Sequence, residues 1–429
     1  MNKLYFIQGM NDINSRDGIA YRKRWLAGSL RHAVTRHPVV IVTGARQTGK
    51  STLLLNEEPF SQFRYITLDD FDILGQAEKD PAALLYGSRG IVIDEVQKAP
   101  GLLEAVKTAV DTRAYTHPVV LSGSANLALM KQVSESLAGR AVYFSLYPMT
   151  CWEKKREEIN NPLNNLFNGI MPQEKQKDDD HSCSLEHMWR GCMPALLRYT
   201  DETSVLQWWE GYVLTYLERD LRQLSQIESL SDFRRLMQAC ALRTGSMINQ
   251  TELSRDTGIS QPTVHRYMNL LETTCLMHRV QAFAKSRTKR LIKAPKLMWA
   301  DPGIAAFLGG FFSMSDLADS SSAGRIFESL VFLHLHVLCQ LISPAARIYY
   351  WRTSYGKEVD FVIEWGTKLI GLEVKLTGKP MYGDLKGLKV FMDEYPETAA
   401  CILIYTGKEI RIMDERIVAV PWDMLNSMY

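Results

Sequence analysis

Several things are missing from this 429-residue sequence, and each absence excludes something. Its seven cysteines, Cys151, Cys183, Cys192, Cys240, Cys275, Cys339 and Cys401, are scattered and form no CxxC pair. That spacing excludes a disulfide framework and a paired-cysteine zinc site, and it suits a reducing compartment. No stretch approaches the roughly 18 consecutive apolar residues of a membrane helix. The longest candidate, Leu330 to Ile342, is short and carries His334 and His336. One lysine ahead of a four-residue apolar run is too little for a signal peptide, so a cytoplasmic location with no membrane partner is expected. Charge of one sign is also lacking: Lys plus Arg number 50 and Asp plus Glu 48, a net +2. Bulk charge therefore does not draw this chain to nucleic acid. What is present is an ordinary globular balance, 46% apolar and 23% charged. At roughly 150 residues per domain, that is material for about three domains.

Three textures follow one another along the chain. From about Tyr21 to Thr150, short β-branched runs (VVIVTG, YITLDD, GIVIDEVQ, PVVLSGS, AVYFSL) alternate with helical segments, the signature of buried parallel strands in an α/β layer. Residues 154–184 turn polar, with NNPLNN and QEKQKDDDHS, and read as an exposed insertion or linker. A helical stretch runs from Leu185 to about Gly310. From about Ser321 an apolar helix (IFESLVFLHLHVL) leads into the strands RIYYWR, EVDFVIEW, LIGLEVK and ACILIYTG, a second α/β domain.

The sharpest motif is GARQTGKS, which follows VVIVT and precedes TLLL. It satisfies GxxxxGK(S/T) in the strand–loop–helix setting that phosphate binding requires. Gly44, Ala45, Arg46, Gln47, Thr48, Gly49, Lys50, Ser51 and Thr52 are the candidate nucleotide-binding residues. The loop's backbone N–H groups would cradle phosphate oxygens, Lys50 would reach the β- and γ-phosphates, and Ser51 would hold Mg²⁺. GIVIDEVQ supplies the other half. Asp94 and Glu95 follow four apolar residues at a strand end, Asp94 as a ligand of Mg²⁺ and Glu95 to orient the attacking water. ATP and Mg²⁺ are the expected cofactors. PVVLSGSAN offers Ser122, Ser124 and Asn126 as candidates to sense the γ-phosphate, alongside the plain reading of a loop cap. Arg140, in ESLAGRAVYFSL, is a candidate arginine finger acting on a neighbouring subunit's nucleotide, with an ordinary surface arginine as the alternative.

INQTELSRDTGISQPTVHRYMNLLE reads as helix–turn–helix, with Thr251 to Asp256 as the first helix, Gly258 at the turn and Gln261 to Glu272 as the second. Val264, Met268 and Leu271 fall on its inner face. Gln261, Thr263, His265 and Arg266 fall outside, where bases or phosphates are met. The alternative is a lid that packs on neighbouring subunits. AKSRTKRLIKAPK follows, with Lys285, Arg287, Lys289, Arg290, Lys293 and Lys296 and no acid, and it suits a wing hairpin along a phosphate backbone. Across residues 231–300 twelve basic residues stand against four acidic ones, a net +8, leaving 38 against 44 elsewhere.

GARQTGKST, LDD, VIDEVQKAPGLLEAVK, LSGSANL and SLAGR resemble the AAA-type ATPases that carry a C-terminal DUF4143 domain. So do GCMPALL, YLERDL, KAPKLMWADPGI, and YGKEVDFVI followed by LEVK. The similarity runs in order across nearly the whole chain. Ala45 stands where the family commonly has proline, and 154–184 is longer than its usual connector. The resemblance implies a P-loop ATPase core (1–153), a polar insertion (154–184), a helical lid (185–230), a winged helix (231–310) and a restriction-endonuclease-like α/β domain (321–429). In that last domain Asp360, Glu373 and Lys375 match a D…ExK pattern. Asp360 and Glu373 would hold Mg²⁺ with Glu328 completing the site, and Lys375 would act as the catalytic lysine. The expected function is ATP-driven handling of DNA, branched DNA above all, by a homo-oligomer, with a hexameric ring as the expected form. The rival is a nucleotide-gated signalling or defence switch with the last domain as effector.

Overall fold

The computed structural model describes residues 20–86, 89–112, 117–124, 137–176, 184–215 and 227–429. Asn126 and the YLERDL segment (216–221) lie outside them. The chain divides into two compact units: one holds residues up to Met149 together with Met193–Tyr212, the other Thr150–Cys192 and Val213–Tyr429.

The first unit is built on five parallel strands, β1 (Val39–Thr43), β2 (Arg64–Thr67), β3 (Ile91–Asp94), β4 (Val119–Ser122) and β5 (Ala141–Ser145), in the order β2-β3-β4-β1-β5. Both faces of the sheet are covered, which is why the strands read as unbroken apolar runs. The alternation of side chains sorts β1 between the two layers. Val39 and Ile41 pack with Leu102, Val106 and Leu84, whereas Val40 and Val42 pack with Leu30, Leu54 and Phe60. Placing β4 between β1 and β3 brings three strand ends side by side, with Ser122 opposite Val42 and Leu121 opposite Ile93. Ligands of open α/β sheets gather at such strand ends.

The second unit carries a seven-stranded mixed sheet. Its strands are β6 (Lys175–Gln176), β9 (Arg347–Arg352), β10 (Glu358–Trp365), β11 (Lys368–Lys375), β12 (Thr398–Tyr405), β13 (Glu409–Asp414) and β14 (Ile417–Pro421), in the order β6-β13-β14-β12-β11-β10-β9. The helix Ala323–Gln340 is buried along most of its length. Ahead of it, helices Leu230–Ala241, Gln250–Thr257 and Gln261–Thr273 precede an antiparallel pair, β7 (Met277–Val280) and β8 (Lys296–Trp299). Asn249 and Ser260 cap the second and third helices, and Gly258 joins them in a left-handed conformation.

Three expectations are corrected here. The described part of the polar segment, 154–176, is not a free insertion. Leu163, Leu166 and Phe167, spaced to share one helix face, are buried, and β6 adds to the edge of the large sheet. Hydrogen bonds hold it in place: Asn161 Nδ2 donates to Leu338 O at 2.9 Å, and the backbone N of Asn160 donates to Asn426 Oδ1 at 2.9 Å. The lid does not form one body either, since 193–212 belong to the first unit and 184–192 to the second. Finally, the basic segment between β7 and β8 is not a plain β-hairpin wing, because it folds into a short helix, Arg287–Ile292.

Burial fixes several histidines as neutral. His334 Nδ1 faces Leu330 O at 2.7 Å and Nε2 accepts from Cys151 N at 2.9 Å, so the ring carries one proton, on Nδ1. Burial pushes His334 and His278 down to about 4. A histidine that ionises at about 6.5 unfolded but about 4 folded stabilises fully above 6.5 and loses that stability as pH falls toward 4. The His278→Phe variant should therefore gain on the wild type by about 2 kcal/mol between pH 7 and pH 5. Urea midpoints at the two pH values test this; an unchanged difference would refute it.

Candidate functional site

Gly44 leaves β1 with φ 143°, and a Cβ there would stand 2.2 Å from Leu146 O, so only glycine can pass. Gln47 adopts φ 63°, and Gly49 caps the helix Lys50–Asn56. Ala45 and Thr48 turn inward, with Thr48 Oγ1 donating to Ala45 O at 2.9 Å, while Arg46, Gln47, Lys50, Ser51 and Thr52 line the cleft. Lys50 is buried, and its Nζ donates to Gly44 O at 3.1 Å and Ala45 O at 2.9 Å, across the curve of its own loop. Arg24, which no motif announced, clamps the loop from outside. Its guanidinium donates to Thr48 O at 2.7 Å and Tyr147 O at 2.6 Å.

Asp94 closes the site from β3. Its Oδ2 accepts from Ser51 Oγ at 2.6 Å and from Tyr65 Oη at 2.5 Å, and Oδ1 accepts from Glu95 N at 3.1 Å. Glu95 sits at φ 55°, a conformation that costs a non-glycine residue about 1 kcal/mol and gathers at functional sites. Burial first, and Asp94 second, raise its pKa, and Gln97 Nε2 donates to its carboxylate. Ser122 Oγ, at the end of β4, is buried without a hydrogen-bond partner, an orphan that a ligand or water would satisfy. Ser124 is buried just beyond. The cleft is about 850 Å³, within the range of small-molecule sites. Its far wall is formed by Tyr21, Arg22, Met149, Leu197, Arg198 and Trp208. Arg198 joins Arg22, Arg24 and Arg46 as a further guanidinium lining the cleft that carries Lys50, and sequence spacing gave no sign of it.

Arg140 lies elsewhere. It directly precedes Ala141, which pairs with Val39 at the opening of β1, whereas the phosphate loop leaves from Thr43. Five strand residues make roughly 16 Å, too far for Arg140 to reach its own cleft. Its Nε and Nη2 donate to Asp111 at 2.5 and 2.8 Å, which raises the arginine's pKa and lowers the aspartate's.

The carboxylate cluster of the second unit is assembled as expected but filled unexpectedly. Lys296, in β8, is buried between Glu328 and Asp360, paired with the first and 3.1 Å from Oδ1 of the second. Asp360 Oδ2 accepts from Val374 N at 2.9 Å, and Glu373 Oε1 accepts from Lys375 Nζ at 2.6 Å. Burial opposes the charge on Lys296, but the pull of Glu328 and Asp360 outweighs it and raises its pKa. With three carboxylates sharing two ammonium groups, burial pushes Glu328 and Glu373 up to about 8. An ammonium thus stands where a divalent cation would be held. Among the described residues, no cluster of three or more histidine, cysteine or acidic side chains is placed to hold a metal. The expected Mg²⁺ set of Glu328, Asp360 and Glu373 does not fit a metal here, and Lys296 is not a nucleic-acid contact.

Arg290 is likewise withdrawn from the basic surface. It is buried, donates to both oxygens of Glu364 at 2.8 and 2.9 Å, and lies over the rings of Phe283 and Tyr349. Lys285, Arg287, Lys289 and Lys293 remain exposed. On the helix–turn–helix, Gln261, His265 and Arg266 are exposed and Thr263 is half-buried. Arg266 donates to Glu228 Oε1 at 3.2 Å.

Residues 36–154 match the AAA domain, 323–425 a domain of unknown function (DUF4143), and 184–315 another (DUF8612). The chain joins an AAA domain to a DUF4143 domain. Uncharacterised proteins of Mycobacterium tuberculosis and Mycobacterium bovis are each 28% identical over 406 residues, 94% of this chain and 84% of theirs. One from Methanocaldococcus jannaschii is 24% identical over 90% of this chain and 83% of its own. Among solved structures, a Walker-type ATPase of Pyrococcus abyssi aligns with 67% of this chain and 96% of its own at 16% identity and TM-score 0.38. A Thermotoga maritima RuvB covers 59% of this chain and 87% of its own at 17% identity and TM-score 0.30.

The AAA domain contains the loop, Asp94, Glu95 and Arg140; the DUF4143 domain contains Glu328, Asp360, Glu373 and Lys375, while Lys296 reaches their cluster from outside its matched range. Removing that lysine would strand two buried carboxylates. The Lys296→Met variant should lose about 3–5 kcal/mol of unfolding free energy, and a further Glu328→Gln change should recover part of it. Chemical denaturation measures both, and an undiminished Lys296→Met midpoint would contradict the assignment.

Proposed function

We propose that this chain is an ATPase that couples hydrolysis to the binding and remodelling of DNA, with branched or junction DNA as its preferred substrate. The observation that carries the reading is that Lys50, Ser51 and Glu95 line one cleft and Asp94 is bonded to Ser51, with the orphaned Ser122 Oγ at the neighbouring strand end. The residues present fit Mg²⁺ and a nucleoside triphosphate. Ser51 Oγ and the Asp94 carboxylate are an all-oxygen pair 2.6 Å apart, the donor type magnesium takes, and the ion would neutralise charge on the phosphates.

The chain's own groups have defined tasks. Lys50 exchanges the carbonyls of Gly44 and Ala45 for phosphate oxygens. Glu95 leaves Gln97 to accept a hydrogen bond from the attacking water, and its raised pKa equips it to receive a proton. Ser122 Oγ stands at the neighbouring strand end as a further hydrogen-bonding group. Arg140 supports action in trans: it cannot serve its own cleft, so a homo-oligomeric ring, a hexamer in the form proposed, would present it to a neighbour's nucleotide. For DNA, the support is the net +8 of residues 231–300 and their helix–turn–helix. The DUF4143 domain grips rather than cuts in this reading, because an ammonium occupies its carboxylate cluster.

One observation favours the rival, a nucleotide-gated switch. Glu95 is tied to Gln97 and Arg140 to Asp111, so both groups need a conformational change before they act.

The Lys50→Ala variant should abolish ATP hydrolysis, whereas Glu95→Gln should retain nucleotide binding and lose turnover at least 100-fold. Mixing Arg140→Ala with Lys50→Ala subunits should restore part of the turnover lost in each alone, since one supplies an intact cleft and the other an intact arginine. Isothermal titration and phosphate release measure these. Hydrolysis surviving in Lys50→Ala would remove the site assignment, and mixtures no more active than their components would remove action in trans.

A further inference from the structure

The surface left when Arg290 and Lys296 are taken out of the basic segment has a shape of its own. The segment enters and leaves along β9. Phe283 N donates to Tyr350 O, Tyr350 Oη donates to Ala294 O at 2.5 Å, and Lys293 Nζ donates to Arg352 O at 3.2 Å. The bidentate pair of Arg290 with Glu364 pins the helix Arg287–Ile292 from below. Lys285, Arg287, Lys289 and Lys293 thus sit on a ledge fixed to the sheet. Arg352 and Lys357, from β9 and the turn into β10, extend the same positive surface, and within these two segments the one exposed acid is Glu358.

The ledge also carries apolar groups that a solvated surface does not require. Leu291 is 79% exposed and Ile292 78%, both on the pinned helix. Tyr355 is 92% exposed at the tip of the β9–β10 turn. That turn is held closed. Thr353 N donates to Lys357 O at 2.8 Å, Lys357 N donates to Thr353 Oγ1 at 3.0 Å, and Gly356 takes φ 78° beside the tyrosine. An aromatic ring is therefore presented outward on a rigid mount at the edge of a row of cations.

We propose that this ledge is a nucleic-acid interface that engages unpaired or unstacked bases. Lys285, Arg287, Lys289 and Lys293 follow the phosphate backbone, and Tyr355 stacks on an exposed base face at a fork or single-stranded end. The inference rests on the DNA reading above and assigns it to residues outside the helix–turn–helix. Cations beside an aromatic platform are the chemistry of single-strand recognition, where stacking supplies affinity that a closed duplex does not offer. A lipid surface is the lesser fit. Interfacial helices bury a long apolar face, whereas this helix has six residues and its aromatic partner stands on a separate turn.

The test uses the full-length protein and fluorescence anisotropy with a labelled single strand, a fork and a blunt duplex of equal length, beside sedimentation with phosphatidylcholine/phosphatidylserine vesicles. Tyr355→Ala should weaken the fork and the single strand on the order of tenfold and leave the blunt duplex unchanged, with Tyr355→Trp restoring binding. Lys289→Glu with Lys293→Glu should weaken all three DNAs and flatten the salt dependence by roughly 1.5 in the logarithmic slope. Urea midpoints equal to the wild type's show that the variants are folded. Wild-type binding that both variants leave intact would overturn the ledge while the DNA reading stands. Absence of wild-type DNA binding would overturn both. Vesicle binding that DNA does not displace, lost in the variants, would reassign the ledge to lipid.

Discussion

The Asp94 carboxylate is the joint on which the candidate nucleotide cleft depends. One oxygen receives the first turn of the phosphate-loop helix through Ser51 and the neighbouring strand through Tyr65, while the other receives the backbone of Glu95. Three pieces of chain distant in sequence are fixed to one another by a single buried acid. The Ser51–Asp94 pair also defines an oxygen site suited to magnesium. The sheet order makes this possible, since β4 between β1 and β3 sets their ends level, and the tight passage at Gly44 aims the loop back over them.

A second regularity concerns the charged groups that would work. Lys50 is held by two carbonyls, Glu95 by Gln97, Arg140 by Asp111, and the acids of the second unit by Lys296 and Lys375. Each has its charge met within the chain, and for the buried ones the low dielectric of a protein interior demands it. The proposed function then consists of exchanging partners. In that reading Lys50 would exchange carbonyls for phosphates, and the partly exposed Arg140 would exchange a surface aspartate for a neighbour's nucleotide. Lys296 differs because burial on all sides leaves it no route to exchange, which makes it a structural cation.

The candidate nucleotide site was legible in the sequence because its geometry is local. Eight residues set the loop's backbone, and a strand of four apolar residues delivers Asp94 and Glu95 to its end. Tyr65, Arg24, Gln97 and Arg198 were not legible, since their roles follow from strand order and from chain segments that meet only in space. The basic segment misled for a definite reason: a run of one sign looks uniform on paper. Yet Arg290 alone falls where Glu364 and two aromatic rings can enclose it, and Lys296 alone lies on β8, facing the carboxylates. The D…ExK letters stood as expected, but their cation comes from a lysine 64 residues before Asp360. In the polar stretch, three apolar residues at helical spacing, Leu163, Leu166 and Phe167, outweighed the asparagines around them. One of those asparagines, Asn161, bonds backbone on both sides of its amide.

The central claim is that the cleft's hydrolysis is coupled to DNA. Its most direct test is the steady-state rate of ATP turnover by the wild-type protein, alone and with saturating duplex, single-stranded and four-way-junction DNA at one salt concentration. The account predicts turnover that rises with DNA and is greatest with the junction. A slow rate indifferent to all three DNAs would contradict it and leave the cleft as a switch waiting for another trigger.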